Sequence, residues 1–213
     1  KYEGTKEQWD HAQSVMAKIL DDLDVKYEIG IDEAAFYGPK LDIQYKNVYG
    51  KEDTLVTIQI DMLLAERFGM YYTDENGEKT LPYIIHRTSL GCYERTLAYL
   101  IEHYAGALPT WMAPEQVRFL PVTDRAVDYC KEQAAKLTNQ GYRVTVDTRS
   151  EKIGKKIRDA QMEKIPYMLI VGDRDIEAGT VSPRHRADGD LGAMSLDAFA
   201  ATLKDVVDSK AQK

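Results

Sequence analysis

The stretch LPTWMAP, residues 108–114, separates two regions of the sequence that have different patterns. Its two prolines cannot continue a helix, because proline lacks an amide N–H and its φ angle is fixed. The charge also differs: residues 1–114 contain 11 Lys and Arg against 19 Asp and Glu, whereas residues 115–213 contain 17 against 16. We therefore predict two domains, at residues 1–108 and 115–213, with a linker at residues 109–114.

The region before this stretch predicts an antiparallel sheet accompanied by helices. Thr5 and Gln8 match a capping box at a helix N-terminus, and apolar residues then recur every three or four positions as far as Leu23. The predicted strands lie at residues 40–45, 54–62 and 83–88, and a second helix lies at residues 94–104. Strands joined by loops and followed by a helix favour an α+β fold with helices on one face of the sheet.

The region after the stretch alternates strands and helices, which is the pattern of an α/β domain with a mixed sheet wrapped by helices. The predicted strands lie at residues 117–122, 142–146, 167–171 and 180–184, with helices at 124–139, at 152–164 and after Ser195. Residues 167–171 form a continuous apolar run, typical of a strand buried on both faces. Pro183 cannot donate to a sheet ladder, so we predict that its strand is an edge strand.

Composition excludes several classes of protein. The apolar and charged fractions, 44% and 30%, are those of globular proteins, which excludes a disordered tail or a fibre. No apolar run approaches the roughly 20 residues that span a bilayer, and the polar N-terminus predicts no secretory signal. Cys92 and Cys130 show no C-x-x-C spacing, so we expect reduced thiols in a cytoplasmic protein. Because residue 1 is Lys rather than Met, we expect a piece of a longer protein.

A Gly-Pro turn places two candidate binding residues of the first region. Tyr37 precedes the turn and could donate or accept a hydrogen bond, and Lys40 follows it at the start of a strand, where it could pair with a phosphate. Gln59 lies on the polar face of the next strand and is suited to hold an amide, a hydroxyl or an adenine edge. An ordinary strand-entry turn and a solvent-exposed strand face are the alternatives.

The segment HRTSLGCYER, residues 86–95, joins a strand to a helix. Arg95 lies in the first helical turn, where a guanidinium can grip a phosphate beside the helix N-terminal amides. His86 lies on the strand, and a lone histidine is more often structural than a metal ligand. Zinc needs three or four ligands, and the four histidines and two cysteines form no closely spaced pair, so the residues alone argue against a self-contained zinc site.

A basic helix characterises the second region. Lys152, Lys155 and Lys156 are predicted to share the face opposite the apolar residues of this helix, which also contains Arg158. Arg184 lies further along the chain, at the end of the second predicted strand after this helix. Acidic residues are interspersed among the lysines, so a solvated helix face and an RNA-contacting face remain alternatives.

Taken together, the sequence resembles the C-terminal half of the threonyl-tRNA synthetases, a family of class II aminoacyl-tRNA synthetases. The resemblance extends over roughly residues 5–208 in the family's order. The matching runs are AFYGPKLD at 35–42, TIQID at 57–61, HR, LG and ER within 86–95, PTWMAP at 109–114, RSEKIG at 149–154, IR at 157–158, PYML at 166–169 and VGD at 171–173. The resemblance implies the end of a class II antiparallel catalytic domain followed by an α/β anticodon-binding domain.

For the first region, the resemblance implies a site for ATP and threonine. Arg95 matches the arginine of class II motif 3 that holds the γ-phosphate side of ATP, and Lys40 matches a lysine near the adenylate. Tyr37 and Gln59 match residues of the amino-acid and adenylate pocket. His86 matches one zinc ligand of the family, so the resemblance implies a zinc ion that grips threonine, with its other ligands outside this chain.

For the whole protein, the resemblance implies a threonine–tRNA ligase. Such an enzyme joins threonine to ATP with Mg²⁺ and transfers the acyl group to the 3′ end of tRNA(Thr). The anticodon contacts of the family fall on Ser150, Lys152, Arg158, Asp175 and Arg184. Because the family is generally dimeric through its catalytic domain, we expect a cytoplasmic homodimer with no membrane partner.

Departures from the family limit what this chain alone is expected to do. Its residues do not include motifs 1 and 2 or two of the zinc ligands, so we expect no threonine activation by the isolated chain and only weak tRNA binding. Residues 53–56 are Asp-Thr-Leu-Val where the family usually has Trp-Gln-Cys-Gly, which removes a glutamine expected near the nucleotide. Two alternatives stay open: a stand-alone anticodon-binding or regulatory module without catalysis, and a class II synthetase for another amino acid.

Overall fold

A computed structural model describes residues 2–212 of the chain. They form two compact units that divide between Tyr99 and Leu100, and we call these unit 1 and unit 2. The domain limits drawn from the sequence, at residues 108 and 115, stay a prediction. Within residues 2–212, no helix combines the length and the apolarity that a bilayer crossing requires.

Unit 1 is built around a three-stranded antiparallel sheet, as predicted. Its elements in chain order are α1 (Lys6–Asp22), β1 (Lys40–Lys46), β2 (Glu52–Asp61), α2 (Leu64–Arg67), β3 (Tyr72–Thr73), β4 (Lys79–Thr80), β5 (Ile84–Arg87) and α3 (Tyr93–His103), which crosses the division. The sheet order is β1-β2-β5, and β3 and β4 form a separate hairpin. The central strand β2 therefore determines which residues of β1 and β5 oppose each other.

The first helix has the predicted capping box. The Gln8 amide donates to Thr5 Oγ1 at 3.3 Å, and the Thr5 amide donates to Gln8 Oε1 at 2.8 Å. The apolar stripe of α1 is only partly covered: Ala12 is buried, whereas Ile19 and Leu23 are 51% and 67% exposed. Periodicity predicted the helix correctly, but burial depends on what packs against its apolar stripe.

Unit 2 is an α/β domain with a mixed sheet, as predicted. Its elements are β6 (Val117–Pro121), α4 (Ala126–Asn139), β7 (Val144–Val146), α5 (Ile153–Met162), β8 (Tyr167–Val171), α6 (Asp173–Ala178), β9 (Thr180–His185), β10 (Gly189–Asp190), β11 (Met194–Ser195) and α7 (Leu196–Asp208). The sheet order is β10-β9-β8-β6-β7, and β11 also pairs with β9. Strand β6 is parallel to β7 and β8, whereas β8 and β9 are antiparallel.

Helices cover both faces of the unit 2 sheet. Leu169 of β8 is fully buried in a cluster with residues of α4 and α7, and its neighbour Met168 is fully buried in a second cluster with residues of α5. Successive residues of a strand point to opposite faces. Apolar packing on both faces therefore explains the continuous apolar run at residues 167–171.

The prediction that the strand containing Pro183 is an edge strand is wrong. Strand β9 pairs with β8 on one side and with the short strands β10 and β11 on the other. Strand β10 opposes Arg184 and His185, and β11 opposes Thr180 and Val181. Pro183 lies outside both of these short ladders, so its missing N–H interrupts neither of them.

The predicted linker is attached to unit 2 by hydrogen bonds to its carbonyl groups. Arg143 donates from Nε to the carbonyl oxygen of Ala113 at 2.8 Å and from Nη2 to that of Trp111 at 2.9 Å. Gln116, which is 1% exposed, donates from Nε2 to the carbonyl oxygen of Thr110 at 3.1 Å. Satisfied buried polar groups of this kind hold a segment in one conformation, so residues 110–113 are an ordered part of unit 2.

Candidate functional site

Two glycines bring the candidate segments of unit 1 against β2. A Cβ atom on Gly38 would lie 1.8 Å from the carbonyl oxygen of Ile60, and one on Gly91 would lie 2.0 Å from that of Leu55. Gly91 also has a φ of +64°, a conformation that other residues rarely adopt. Only glycine fits at either position, so the turn before β1 and the loop before α3 both depend on the missing side chain.

Three of the predicted site residues form one row across the sheet. Gln59 of β2 opposes Lys40 of β1 on one side and His86 of β5 on the other. Directly opposed residues of antiparallel strands lie on the same face. Tyr37 joins this row, because its hydroxyl donates to Gln59 Oε1 at 2.6 Å and its ring centroid lies 6.4 Å from that of His86. The structure therefore brings Tyr37, Lys40, Gln59 and His86 together.

Asp42 holds the ammonium group of Lys40. The two side chains form an ion pair and are 13% and 27% exposed, respectively. Thr57 Oγ1 donates to Asp42 Oδ1 at 2.8 Å, and these two residues oppose each other across β1 and β2. Sequence analysis did not single out Asp42, although its place two residues after Lys40 puts both on one face of the strand. The contacts fix a positive charge at one end of the row.

Asp61 holds His86 and was also not singled out from the sequence. His86 Nε2 lies 2.9 Å from Asp61 Oδ2, and the Asp61 side chain is 3% exposed. Asp61 Oδ1 accepts the amides of Leu63 and Leu64 at 2.8 and 2.9 Å. Burial raises the pKa of the Asp61 carboxyl, but the hydrogen bonds from Leu64, His86 and Leu63 outweigh it, so the pKa lies below its ordinary value.

Arg95 lies further along β2 and does not join the row. Its Nη1 donates to the carbonyl oxygen of Thr54 at 2.8 Å, and the residue is exposed. Thr54 and Gln59 are both in β2, and their separation along the sequence corresponds to about 17 Å of extended strand. Arg95 and His86 therefore lie beside the same strand, towards its two opposite ends.

The described residues of the chain do not fit a zinc ion on their own. Among residues 2–212, no three His, Cys, Asp or Glu side chains form a group that could hold a metal ion. His86 contacts the carboxylate of Asp61, and these two residues together provide only two potential metal ligands. Zinc in proteins takes three or four ligands, so this pair does not make a complete site.

Four predicted anticodon contacts of unit 2 lie on or beside α5. Ser150 precedes the helix, Lys152 is its N-cap residue and Arg158 lies within it. Arg184 of β9 opposes Met168 of β8, whose side chain packs with α5. Because opposed residues share a face, Arg184 projects to the side of the sheet that α5 covers.

Among the described residues, the polar side chains of this group have no hydrogen-bond partner. Within the described part of the chain, the side chains of Ser150, Lys152 and Arg158 form no hydrogen bond or ion pair. Arg184 Nε is buried and, among residues 2–212, has no hydrogen-bond partner. An unsatisfied buried donor is uncommon in proteins, and the positive groups around it favour an anionic partner.

Asp175, the fifth predicted contact, is held by hydrogen bonds inside unit 2. Its carboxylate accepts the Gly172 amide and the Ser182 hydroxyl at 2.9 Å each and the Thr180 hydroxyl at 3.2 Å. These bonds cap the N-terminus of α6 and connect it to β9. Asp175 therefore lies beside the strand of Arg184, but its acceptor positions are used structurally.

The predicted basic face of α5 is wrong at Lys156. This residue is 4% exposed, and its Nζ donates to the carbonyl oxygens of Pro121 and Asp147, both at 3.1 Å. Helical periodicity gives the angular position of a side chain but not the carbonyl groups that distant strands present to it. Lys156 therefore fastens α5 to the ends of β6 and β7 and is not part of an RNA-facing surface.

Two family models match the two halves of the chain. The model of the tRNA synthetase class II core domain (G, H, P, S and T) matches residues 3–104. The model of the anticodon binding domain matches residues 116–206. A class II core followed by an anticodon-binding domain is the architecture of a class II aminoacyl-tRNA synthetase.

Among class II synthetases, the chain is similar to threonine–tRNA ligases. The chain is 57% identical over 199 residues to the threonine–tRNA ligase of Clostridium perfringens strain SM101. This alignment covers 93% of the chain and 31% of that protein. It is 54% identical over 210 residues to the threonine–tRNA ligase of Clostridium botulinum strain Eklund 17B, covering 99% of the chain and 33% of that protein. The chain therefore spans about a third of the length of these relatives.

A solved structure agrees with these relatives. The RNA binding domain of threonyl-tRNA synthetase from Cryptosporidium parvum Iowa II superposes with a TM-score of 0.85 at 32% identity. The superposition covers 97% of the present chain and 52% of the solved one. The chain belongs to the threonyl-tRNA synthetase family.

Proposed function

We propose that this chain is the C-terminal part of a threonine–tRNA ligase. The whole protein would activate threonine with ATP to threonyl-adenylate and transfer the threonyl group to the 3′ end of tRNA(Thr). The observation that supports this most strongly is the row of Lys40, Gln59 and His86 with Tyr37 bonded to Gln59. An ammonium, an amide, an imidazole and a phenol on one sheet face offer the donors and acceptors that an aminoacyl phosphate needs.

The chemistry of this reaction needs no protein nucleophile. The threonine carboxylate attacks the α-phosphorus of ATP, and pyrophosphate leaves. Positioning and stabilisation of charge account for most of the acceleration. Class II synthetases use Mg²⁺ with ATP, and we assign Lys40 to the adenylate and Tyr37 and Gln59 to the amino-acid side of the pocket.

Arg95 is proposed to hold the γ-phosphate side of ATP. Its exposed guanidinium donates one hydrogen bond to a backbone carbonyl of β2, which leaves further N–H groups for a phosphate. The residues of β2 beside Arg95 and His86 are separated by about 17 Å of extended strand, so the proposed phosphate and amino-acid ends of the site lie towards opposite ends of β2.

His86 is proposed as one zinc ligand, with the others outside this chain. This proposal is supported by the family resemblance, since the described residues do not form a zinc site. No step of the activation described above depends on zinc.

Unit 2 is proposed to bind the anticodon of tRNA(Thr). Ser150, Lys152, Arg158 and Arg184 are the proposed contacts, supported by their position beside α5 and by side chains that have no partner among residues 2–212. Asp175 is proposed to contribute by holding β9 in place. Because residues 115–213 are nearly neutral, affinity by this region alone should be micromolar or weaker and sensitive to salt. The whole protein is proposed to be a cytoplasmic homodimer.

The proposed activity is tested by threonine-dependent pyrophosphate exchange with the longer protein that includes this chain. Gln59→Leu should lower kcat/KM for threonine by at least about tenfold, the value of one hydrogen bond of roughly 1.4 kcal/mol. Gln44→Leu is the matched control, because Gln44 is an exposed glutamine of β1 outside the row. The 213-residue chain alone should give no exchange.

Two other results would contradict the proposal. A long protein that binds tRNA but never exchanges pyrophosphate would favour the binding module without catalysis. Exchange that depends on an amino acid other than threonine would favour a related synthetase.

A further inference from the structure

The contact between Asp61 and His86 determines more than the position of the imidazole ring. Asp61 Oδ2 lies 2.9 Å from His86 Nε2, and Oδ1 of the same carboxylate accepts the amides of Leu63 and Leu64. Every partner of this carboxylate within the described residues is therefore a donor or a ring nitrogen. An ionised carboxylate can only accept hydrogen bonds, so the facing nitrogen Nε2 must bear a proton.

We propose that Asp61 is a positioning residue that fixes His86 as the Nε2–H tautomer and leaves the lone pair of the neutral ring on Nδ1. The two ring nitrogens differ in this respect, since the hydrogen bond made by one decides the role of the other. The His86 side chain is 44% exposed, whereas that of Asp61 is 3% exposed. The fixed nitrogen faces the protein interior, and Nδ1 becomes the electron-pair donor of the row.

Among the residues near His86 in the row, Asp61 is the one that offers a close and buried hydrogen-bond acceptor for Nε2. Gln59 opposes His86 across the strands, but its Oε1 already accepts the Tyr37 hydroxyl at 2.6 Å. Tyr37 presents its ring to His86 with a centroid distance of 6.4 Å. Neither contact supplies an acceptor as close and as buried as Asp61 Oδ2. The proposal deepens the ligase function proposed above because it concerns the same site.

Substitution of one atom tests the proposal with little change in shape. In Asp61→Asn, Oδ1 of the new amide should keep the two backbone amides, because an NH₂ group cannot accept them. Its NH₂ group then faces His86 Nε2 and requires a lone pair there. The variant should therefore invert the ring to the Nδ1–H tautomer, while a purely space-filling role of Asp61 would leave the tautomer unchanged.

The measurement is the ¹⁵N NMR spectrum of this chain labelled at histidine, recorded in the alkaline range, where the tautomer is read from the spectrum of the neutral ring. Wild type should show His86 mainly as Nε2–H, and Asp61→Asn should show it mainly as Nδ1–H. Asp74→Asn is the matched control, because Asp74 also accepts backbone amides, those of Asn76 and Glu78, in an exposed turn. It should leave the His86 pattern unchanged.

Two outcomes would overturn the proposal: an Nδ1–H ring in the wild type, or an unchanged ring in Asp61→Asn. The wild-type spectrum decides the first point even if the variant folds poorly. The measurement uses neither ATP nor threonine. A protein without ligase activity could therefore still confirm the tautomer, and an active ligase could still refute it.

Discussion

Unit 1 and unit 2 differ in what holds their residues in place. In unit 2, large side chains such as Leu169, Phe199 and Leu203 are at most 1% exposed. In unit 1, the buried apolar residues among those described are small: Ala12, Ala65 and Pro39. Burial of apolar area is the main stabilising contribution to a fold, and alanine contributes little of it. Unit 2 therefore depends on core packing, whereas unit 1 depends on strand pairing, glycine contacts and polar hydrogen bonds.

The two tryptophans of the chain allow each unit to be followed separately. Trp9 lies in unit 1 and Trp111 in unit 2. Replacing one of them by phenylalanine leaves the fluorescence of the other as the reporter of its own unit. The comparison between the units can then be tested by denaturant unfolding.

The largest effect is expected from a cavity in the core of unit 2. Leu169→Ala removes a fully buried side chain and should lower the unfolding free energy reported by Trp111 by about 2–5 kcal/mol. Ile85→Ala is the control in unit 1, because Ile85 is 62% exposed and its loss should change the Trp9 signal by only about 0.5 kcal/mol. Similar losses at both positions would mean that the units do not differ in the role of packing.

A smaller loss is expected from a glycine substitution in unit 1. Gly38→Ala would place Cβ 1.8 Å from the carbonyl oxygen of Ile60, so the turn must move, at a cost of about 1–3 kcal/mol. The shift should also break the bond between Tyr37 and Gln59. The change is measured as the unfolding free energy reported by Trp9.

The control for this prediction is a glycine of unit 2. Gly154 lies in α5, and a Cβ atom added there would meet no other atom within 4 Å, so Gly154→Ala should stabilise by about 0.4–1 kcal/mol. If Gly38→Ala were as well tolerated as Gly154→Ala, strand contacts at Gly38 would not control unit 1.

Local sequence patterns were enough to predict the elements that depend on neighbouring residues. The apolar run at 167–171 predicted a strand buried on both faces, and the capping box at Thr5 predicted a helix start. Alternation along β2 predicted that Gln59 lies on its polar face. Each of these features follows from the period of a strand or helix, which a single segment of sequence contains.

Contacts between distant segments could not be predicted in the same way. The bond between Asp61 and His86 requires the register of β2 against β5, which places Ile84 opposite Asp61 and Gln59 opposite His86. Burial of Lys156 requires the carbonyl groups of Pro121 and Asp147, which come from other elements. Register and strand order are tertiary properties, so the sequence predicted the candidate residues of the row but not the carboxylate that holds one of them.

An effect of intermediate to small size is expected at the proposed RNA-facing side of unit 2. Arg158→Glu should weaken binding of tRNA(Thr) by about tenfold, because it replaces a charge attracted to phosphate by one that is repelled. Arg184→Glu should act in the same direction. Binding is measured at several salt concentrations, and the variants should show a shallower dependence on salt than wild type.

Arg174→Glu provides the control for these charge reversals. Arg174 is an exposed arginine of α6 outside the group beside α5, so the net charge changes equally but the proposed surface does not. Equal weakening by all three variants would indicate a general charge effect, which would contradict a defined RNA-facing surface.

The smallest effect is expected in the response of unit 2 to acid. A hydrogen bond from Arg149 holds the pKa of Asp147 below its ordinary value, against the opposite influence of burial. A carboxyl with a lowered folded pKa stabilises the fold above its unfolded pKa of about 3.9, and this contribution is lost as the pH falls through the folded value. Arg149→Met should therefore lower the unfolding free energy reported by Trp111 at neutral pH, and the difference from wild type should shrink below about pH 4.

The same variant should leave the acid response of unit 1 unchanged, which sharpens the comparison. The pKa of Asp61 is lowered by amides of its own segment and by His86, all of which belong to unit 1. Stability against pH, followed through Trp9, should therefore coincide for wild type and Arg149→Met. A difference between wild type and variant that stays constant to low pH in the Trp111 signal would show that Arg149 acts through packing. In that case the interaction between the Arg149 side chain and the carboxylate of Asp147 would contribute nothing to the acid sensitivity of unit 2.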